Sequence, residues 1–297
     1  MKIGRHTIKV IIVAVILFSR CNYKSPDKDP EQEVSYSLEK VYNLPYDVSE
    51  SSGIIIYDSL LWTFNDGRTD PILYGLDVLT GTIRKTLHLS GADNVDWEDI
   101  AQDSSFIYIG DFGNNDGSRQ DLCIYRFSKN DIQKESGEQE IPSEKINFSF
   151  QDQEDFTSND RNTPFDCEAF LFDGDSLILF TKDWVDQRST VYMLPLVPGT
   201  YQAKRCFKME SLGLITGADF NLESNTLMLC GYSNYLPFVL VKENYREKYL
   251  LEFNMKRIDL SDAYGIQLEG IACYNDVINL SSENSADIQA LYHLVEQ

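Results

Sequence analysis

A glutamate followed by small residues recurs along the chain, and its spacing could bring several carboxylates together. It occurs as Glu50, Glu98, Glu168 and Glu269, and Thr216 takes its place in one further copy. The spacings between copies are 48, 70, 48 and 53 residues. Carboxylates that meet at one site repel each other, raise one another's pKa or recruit a cation. Their oxygens suit a hard ion such as Ca²⁺.

The same glutamates also have a structural interpretation. A glutamate at the start of an inner strand can accept hydrogen bonds from backbone N–H groups of the neighbouring sheet and so join the two sheets. Recurrence of one residue type in four copies favours this role for any single glutamate, because a functional site rarely needs the same residue in every repeat.

The second copy is the richest in oxygen ligands. Its two segments read Asp96-Trp97-Glu98-Asp99-Ile100-Ala101 and Tyr108-Ile109-Gly110-Asp111-Phe112-Gly113-Asn114-Asn115. We take Glu98, Asp111 and Asn115 as candidate ligands of Ca²⁺ or another divalent cation. The alternative is a polar turn held together by its own Asx hydrogen bonds.

The elements that must position these residues are short strands. The chain shows almost no helical periodicity, and each copy continues with further short apolar runs, which predicts an all-β fold. Four strands in about 50 residues are typical of a β-propeller blade. Five copies predict a single five-bladed propeller over residues 35–297, with six blades as the alternative.

The outer strands complete this prediction. Fourth runs are expected at Thr82–Leu89, Lys145–Phe150, Arg205–Met209 and Leu250–Met255. The last copy ends after its third run, so we expect the N-terminal segment Tyr36–Leu44 to supply its missing strand and close the ring. The longer spacing of 70 residues is expected to contain a polar loop over Gln151–Asp166.

Propeller topology predicts which residues surround one mouth of the axial channel. The recurrent acids should lie there with the loops that join the second and third strands of each blade, including Ser233-Asn234-Tyr235. Trp184 is the best candidate for a sugar contact. The expected rim consists of Glu50, Asn65, Asp66, Arg68, Glu98, Asp111, Asn114, Asn115, Arg119, Glu168, Lys182, Asp183, Trp184 and Glu269.

The N-terminus resembles a bacterial lipoprotein signal. Lys2, Arg5 and Lys9 precede the apolar run Val10–Phe18, which is shorter than the roughly 20 residues of a membrane span. Cys21 follows as the candidate lipidation site. We therefore predict a signal peptide over residues 1–20, a polar tether over 21–34, and anchoring in the cell envelope at the periplasmic face or the outer membrane. The alternatives are an uncleaved anchor or a signal of another type.

Composition excludes several classes of function. The chain has 26 Lys and Arg against 47 Asp and Glu, a net charge of −21, which argues against nucleic-acid partners. Three histidines are too few for a His-rich metal site. The chain lacks a nucleophile elbow, a P-loop and a dinucleotide fingerprint, so no catalytic residue is assigned.

The segments Ser51-Ser52-Gly53, Asn65-Asp66-Gly67, Asp96–Ala101 and Tyr108–Asn115 resemble a group of largely uncharacterised propeller lipoproteins and secreted proteins of Bacteroidetes-type bacteria. That group is similar, more distantly, to SdiA-regulated, NHL and SMP-30/gluconolactonase-like propellers. The resemblance covers Glu50–Phe127 best. It implies a divalent metal at the channel mouth, for which Glu50, Glu98, Asn115 or Asp219 are the matching residue types.

These observations predict an envelope lipoprotein whose propeller is a ligand-binding module with an acidic channel-mouth site. The ligand would be a small molecule, a glycan or a protein, and the membrane is contacted through the lipid anchor. Two alternatives stay open: a metal-dependent hydrolase of a lactone, ester or phosphoester, and a protein–protein scaffold that uses the outer faces of the blades.

Overall fold

The computed structural model describes residues 34–248, 255–285 and 288–297. Short strands dominate this part of the chain, as the apolar runs predict. Four short 3₁₀ segments lie at Tyr46–Val48, Lys129–Asp131, Tyr245–Lys248 and Ser261–Ala263. The strands are β1 Tyr36–Asn43, β2 Ser51–Tyr57, β3 Leu60–Asn65, β4 Ile72–Asp77, β5 Ile83–Ser90, β6 Trp97–Gln102, β7 Phe106–Asp111, β8 Cys123–Ser128, β9 Gly137–Pro142, β10 Glu144–Phe150, β11 Cys167–Phe172, β12 Leu177–Thr181, β13 Ser189–Leu194, β14 Gly199–Met209, β15 Leu214–Asn221, β16 Thr226–Ser233, β17 Leu236–Lys242, β18 Lys256–Asp259, β19 Leu268–Tyr274, β20 Val277–Ser285 and β21 Ile288–Glu296.

The strands form antiparallel groups of four. The strand orders are β2-β3-β4-β5, β6-β7-β8-β10, β11-β12-β13-β14, β15-β16-β17-β18 and β19-β20-β21-β1. The second and third groups merge into one eight-stranded sheet, because β10 pairs parallel with β14. In the last group β1 pairs antiparallel with β21, so that Tyr36 lies opposite Glu296.

The first strand of each group packs against the first strand of the next. Strand β2 packs against β6, β6 against β11, β11 against β15, β15 against β19, and β19 against β2. A cyclic order of inner strands around an axis is consistent with a β-propeller. The hydrophobic core lies between neighbouring groups. Trp62 and Phe64 of β3, for example, pack in one cluster with Trp97 of β6 and Tyr125 of β8.

The predicted strands need one addition. Strand β9 was not predicted; it pairs parallel with β5 and takes up part of the long spacing between the second and third copies. In the fourth group the described fourth strand is Lys256–Asp259, and all of the predicted run Leu250–Met255 except its last residue lies outside the described residues. Residues 151–166 contain no regular strand, as expected for a loop.

Residues Ser35–Gln297 form one compact unit. The predicted signal peptide, Cys21 and nearly all of the predicted tether lie outside the described residues. Within the described part of the chain, no helix is long and apolar enough to cross a membrane.

Candidate functional site

A cavity of about 430 Å³ opens at one end of the inner strands. Acidic side chains dominate its wall, together with an aromatic cluster and two cations. The lining residues are Ser52, Asp66, Glu98, Asn115, Arg161, Glu168, Lys182, Trp184, Tyr232, Asn234, Tyr235, Gly265, Ile266, Gln267, Glu269 and Glu283. We call this the acidic mouth.

An irregularity in each inner strand places the recurrent residues at this mouth. The pairing register of the inner strand with its neighbour shifts at Glu98 in β6, at Glu168 in β11, at Thr216 in β15 and at Glu269 in β19. A β-bulge leaves one residue without a partner in the ladder and redirects its side chain. The recurrent acids therefore leave the alternating pattern of the sheet and face the cavity.

The small residues of the motif allow the inner strands to approach each other closely. A Cβ at Gly217 would lie 2.8 Å from the Glu269 carbonyl oxygen, and one at Gly270 would lie 2.7 Å from the Ser52 carbonyl oxygen. A Cβ at Gly53 would lie 2.7 Å from the backbone of Asp99. Such contacts with backbone atoms cannot be relieved by moving a side chain, so these positions require glycine.

Three carboxylates converge on one side of the acidic mouth. Oxygen atoms of Asp66, Asp96 and Glu98 all lie within 4.8 Å of one another. Asp66 follows β3 and accepts a hydrogen bond from the Gly67 N–H. Gly113 leaves room for the group, since a Cβ there would lie 2.1 Å from Glu98 Oε1 and 2.4 Å from Asp96 Oδ2. We call these three residues the acidic trio.

Burial and mutual repulsion favour the protonated forms of the trio. Burial, followed by the nearby Asp66 charge, raises the pKa of Asp96 to about 7. Burial also raises the pKa of Glu98 well above its usual value, with further contributions from Glu168 and Asp66. Glu98 is only 5% exposed. A bound cation would stabilise the charged forms of these carboxylates, so cation binding would relieve their mutual repulsion.

A buried ion pair occupies the middle of the mouth. Lys182 Nζ lies 2.8 Å from Glu168 Oε2, and both side chains are almost fully buried. The ammonium also lies 5.0 Å from the ring centroid of Trp184 and 5.4 Å from that of Tyr232. Burial disfavours the charged ammonium, but the carboxylates of Glu168 and Glu269 outweigh it and hold the pKa of Lys182 above its usual value.

Two further carboxylates lie on the side of the mouth formed by the last group of strands. Burial raises the pKa of Glu269 to about 8, although the nearby Lys182 charge opposes the shift. Glu283 of β20 accepts a hydrogen bond from Gln267 Nε2, and burial raises its pKa as well.

Two long loops hold Trp184 in the wall. Its indole Nε1–H donates a hydrogen bond to Asp166 Oδ2 at 2.7 Å. The other oxygen of Asp166 accepts from the Asn114 backbone N–H at 2.7 Å. The guanidinium of Arg161 lies 5.5 Å from the Trp184 ring centroid, and its backbone N–H donates to the Asn115 carbonyl oxygen. The Gln151–Asp166 loop thus forms one wall of the site.

The structure brings about half of the predicted rim residues to the cavity. Those that line it are Asp66, Glu98, Asn115, Glu168, Lys182, Trp184 and Glu269. Those that do not are Glu50, Asn65, Arg68, Asp111, Asn114, Arg119 and Asp183.

The predicted rim residues outside the cavity have other surroundings. Glu50 is exposed and precedes β2, so Ser52 takes the place in the first group that we assigned to Glu50. Asn65 Nδ2 donates to the Asp47 carbonyl oxygen, and Arg68 is exposed. Asp183 is buried, and the distance from its Oδ2 to Lys208 Nζ is 2.7 Å.

The predicted ligand set also changes. Asp111 Oδ1 lies 2.9 Å from Arg119 Nη2 and accepts a hydrogen bond from the Asp96 backbone N–H at 3.1 Å, so its carboxylate is already paired beside the trio. The side chain of Asn114 bridges the Phe165 carbonyl oxygen and the Arg119 backbone N–H. Asp66 and Asp96 are therefore the neighbours of Glu98 in place of Asp111. Asp219 lies at the opposite end of the inner strands, where its carboxylate accepts from the Cys273 N–H.

Several residues of the site were not assigned to it from sequence. Asp96 does not line the cavity but belongs to the trio. It stands two residues before Glu98 in the segment that the sequence singled out, so its proximity could have been recognised. Arg161, Gln267 and Glu283 carried no such signal, because they come from loops and an unremarkable strand and reach the mouth only through long-range packing.

The sheet-joining role that we considered for the glutamates belongs to other side chains. Asp99 Oδ2 accepts from the Phe170 N–H at 2.9 Å and the Ala218 N–H at 3.3 Å, and Oδ1 accepts from the Ile100 N–H at 2.8 Å. Among the described residues, no backbone N–H donates to the carboxylates of Glu98, Glu168 or Glu269.

Comparisons with known proteins add little. No family model matches the chain, and no curated protein matches it. Among solved structures, the chain is similar to one from the crystal structure of a nidogen/laminin complex, with 12% identity and a TM-score of 0.44, over 89% of this chain and 98% of that chain.

Proposed function

We propose that the chain is a lipid-anchored protein of the bacterial cell envelope whose propeller binds a divalent cation, together with a small ligand, at the acidic mouth. One observation carries the proposal: the carboxylates of Asp66, Asp96 and Glu98 converge beside a cavity that Asp66 and Glu98 line, and Glu98 accepts no hydrogen bond from any described residue. A carboxylate that is 5% exposed and has no hydrogen-bond donor gains from a ligand that supplies positive charge.

The chemistry of the trio favours a hard cation. Carboxylate oxygens are the preferred ligands of Ca²⁺, which takes six to eight oxygens and accepts flexible geometry. Asn115 lines the same cavity and offers a further side-chain oxygen, and water would complete the shell. The cation would neutralise charges that otherwise repel each other across the first and second groups of strands.

Calorimetric titration with Ca²⁺ tests this proposal. The chelated wild-type protein should bind one Ca²⁺ ion, and Glu98→Gln should abolish binding because it removes a charged ligand. Glu140→Gln is the matched control, since it makes the same change at an exposed strand residue away from the mouth. Absence of Ca²⁺, Mg²⁺ and Mn²⁺ binding to the wild type, or equal loss in both variants, would refute the cation site.

The proposed architecture is a five-bladed propeller closed by β1. The five groups of four strands and the pairing of β1 with β21 support it. Deletion of residues 35–44 should then leave β21 as an unpaired edge and cause aggregation. A deletion variant that stays monomeric and as stable as the parent by light scattering and thermal melting would argue against closure by β1.

The proposed anchor is testable in cells. Cys21→Ala should release the protein from the membrane fraction, because a lipid on Cys21 is the attachment that the sequence predicts after cleavage of the signal peptide. Retention of the variant in the membrane with an uncleaved leader would favour an uncleaved anchor instead.

A second candidate, a metal-dependent hydrolase, is favoured by Glu269. This residue lines the cavity outside the trio, and burial raises its pKa to about 8, so its carboxyl group can both accept and donate a proton near neutral pH. Ester, lactone and phosphoester substrates should then be turned over with added metal and not with chelator. Glu269→Gln should lose turnover more than metal binding, because Glu269 lies outside the trio. If no substrate is turned over with any added metal, the hydrolase is excluded and ligand binding is the remaining function.

A further inference from the structure

The acidic mouth already binds one alkylammonium group, that of its own Lys182. The ammonium pairs with Glu168 and lies within 5.4 Å of two aromatic ring centroids, those of Trp184 and Tyr232. Carboxylate and aromatic faces together are the chemistry by which proteins bind organic cations. This pair therefore shows how the cavity can hold such a group.

The same combination of residue types occurs a second time at the mouth. Tyr235 and Tyr264 form an aromatic pair with ring centroids 6.4 Å apart and an interplanar angle of 61°. The two residues are 67% and 69% exposed, which is unusual for large aromatic side chains. In the part of the chain that the structure describes, no lysine or arginine lies over either ring.

The backbone holds the tyrosine pair in place. Tyr235 has a φ of +65°, a conformation that is strained for a bulky aromatic residue. The Gly265 N–H donates to the Tyr235 carbonyl oxygen at 2.8 Å, which joins the loop between β16 and β17 to the loop before β19. Tyr235 lines the cavity together with Gly265, and the pair therefore stands at its opening.

Charge in the cavity is not balanced by the protein's own cations. Asp66, Glu98, Glu168, Glu269 and Glu283 line it, against Lys182 and Arg161. Lys182 is engaged by Glu168, and Arg161 is exposed beside Trp184. Glu98 is nine-tenths buried, faces the cavity and accepts no hydrogen bond from the described residues. Among the described residues, neither Glu269 nor Glu283 has an ion-pair partner within 4 Å, and a bound organic cation would favour the charged forms that burial disfavours.

We propose that the acidic mouth binds an alkylammonium or guanidinium group between the Tyr235–Tyr264 pair and the carboxylates of Glu269 and Glu283. This site goes beyond the proposed metal site, because it uses different residues of the same cavity. The cation could be presented as a free amine or as a lysine or arginine side chain of a peptide, and both present the same chemistry.

Binding of n-butylammonium, measured by calorimetry in chelator, tests the proposal. We expect binding of the amine and none of n-butanol, which has a similar shape without the charge. Tyr264→Leu should weaken the affinity roughly 2- to 30-fold through loss of a cation–π contact, and Tyr264→Phe should retain it. Glu283→Gln should weaken it as well. Tyr46→Leu is the matched control, because Tyr46 is an 88% exposed tyrosine on another loop.

Titration with a peptide distinguishes a free amine from a lysine side chain of a protein as the source of the cation. A blocked Gly-Lys-Gly peptide that binds more tightly than the amine, with loss of binding on lysine acetylation, assigns the cation to a protein partner. Tighter binding of the amine assigns it to a free amine, and either result supports the site. Equal binding of butylammonium and butanol, or no effect of Tyr264→Leu, would overturn it. Because chelator is present, this outcome is independent of the Ca²⁺ titration.

Discussion

Glu98 and Asp99 are consecutive residues of β6, and their carboxylates meet opposite surroundings. Asp99 accepts three backbone N–H groups, two of them from the inner strands β11 and β15. Glu98 accepts none among the described residues and faces the cavity. Both side chains are buried. The comparison teaches that burial of an acid does not reveal its role: the role follows from which donors the fold supplies.

The two ends of the inner strands extend this contrast. At the acidic mouth the carboxylates of Glu168 and Glu269 contact side chains, and their charges act on one another. At the other end a cavity of about 450 Å³ is lined by apolar and polar residues together. Half-buried Asp219, one of the acids that line it, accepts the N–H groups of Phe220 and Cys273. The carboxylates at the acidic mouth can therefore contact a ligand, whereas that of Asp219 is occupied by hydrogen bonds from backbone N–H groups.

Removal of an acid that joins sheets should have the largest effect on stability. Asp99→Ala leaves three buried N–H groups without acceptors, each of which costs about 1–3 kcal/mol. We expect the free energy of unfolding to fall by at least about 3 kcal/mol in urea titrations. Asp99→Asn, which keeps one carbonyl oxygen, should cost less. A change of under about 1 kcal/mol in Asp99→Ala would show that Asp99 does not join the sheets.

Disruption of the buried ion pair between Lys182 and Glu168 should have the second-largest effect on stability. Lys182→Met removes the partner of Glu168, and loss of one partner of a buried pair costs about 3–5 kcal/mol unless the remaining acid becomes protonated. Because Glu168 can take up a proton, we expect a loss of about 2 kcal/mol at pH 8 and a smaller loss at pH 5. Lys182→Met/Glu168→Gln should recover much of the loss in urea titrations. Failure of the double variant to recover any would contradict a pairwise interaction.

The recurrence of small motifs was sufficient to predict most of the strands and several mouth acids. Glu98, Glu168 and Glu269 share a local pattern that recurs at spacings of 48 to 70 residues, and the predicted propeller topology would bring them to one end. The donors of Asp99 could not be predicted, because Phe170 and Ala218 lie 71 and 119 residues away. Nor does a register shift have a sequence signature that would separate Glu98 from Asp99. Loop residues such as Arg161 were missed for the same reason: their contacts are long-range.

The acids at the mouth should make the metal-free protein less stable as the pH rises. Burial raises the pKa of Asp96 to about 7 and that of Glu269 to about 8, above the values near 4 of the unfolded chain. Between pH 4 and pH 8 the folded state therefore binds more protons, and the free energy of unfolding falls with increasing pH. Melting temperatures in chelator should decrease from pH 5 to pH 8. A melting temperature that rises over this interval would contradict protonated acids at the mouth.

The smallest expected effect on stability is that of Glu98→Gln, and it best distinguishes the role of Glu98 from that of Asp99. Glu98→Gln removes one of several repelling carboxylates and breaks no backbone hydrogen bond, so the metal-free protein should be as stable as the wild type or slightly more stable. Saturating Ca²⁺ at a hundredfold excess over Kd should stabilise the wild type by about 2.7 kcal/mol and leave the variant unchanged. Thermal melts of both proteins with and without Ca²⁺ measure the two effects together. If Glu98→Gln instead destabilises the metal-free protein by about 1–3 kcal/mol and Ca²⁺ changes neither protein, Glu98 joins the sheets as Asp99 does, and the distinction between the two residues is lost.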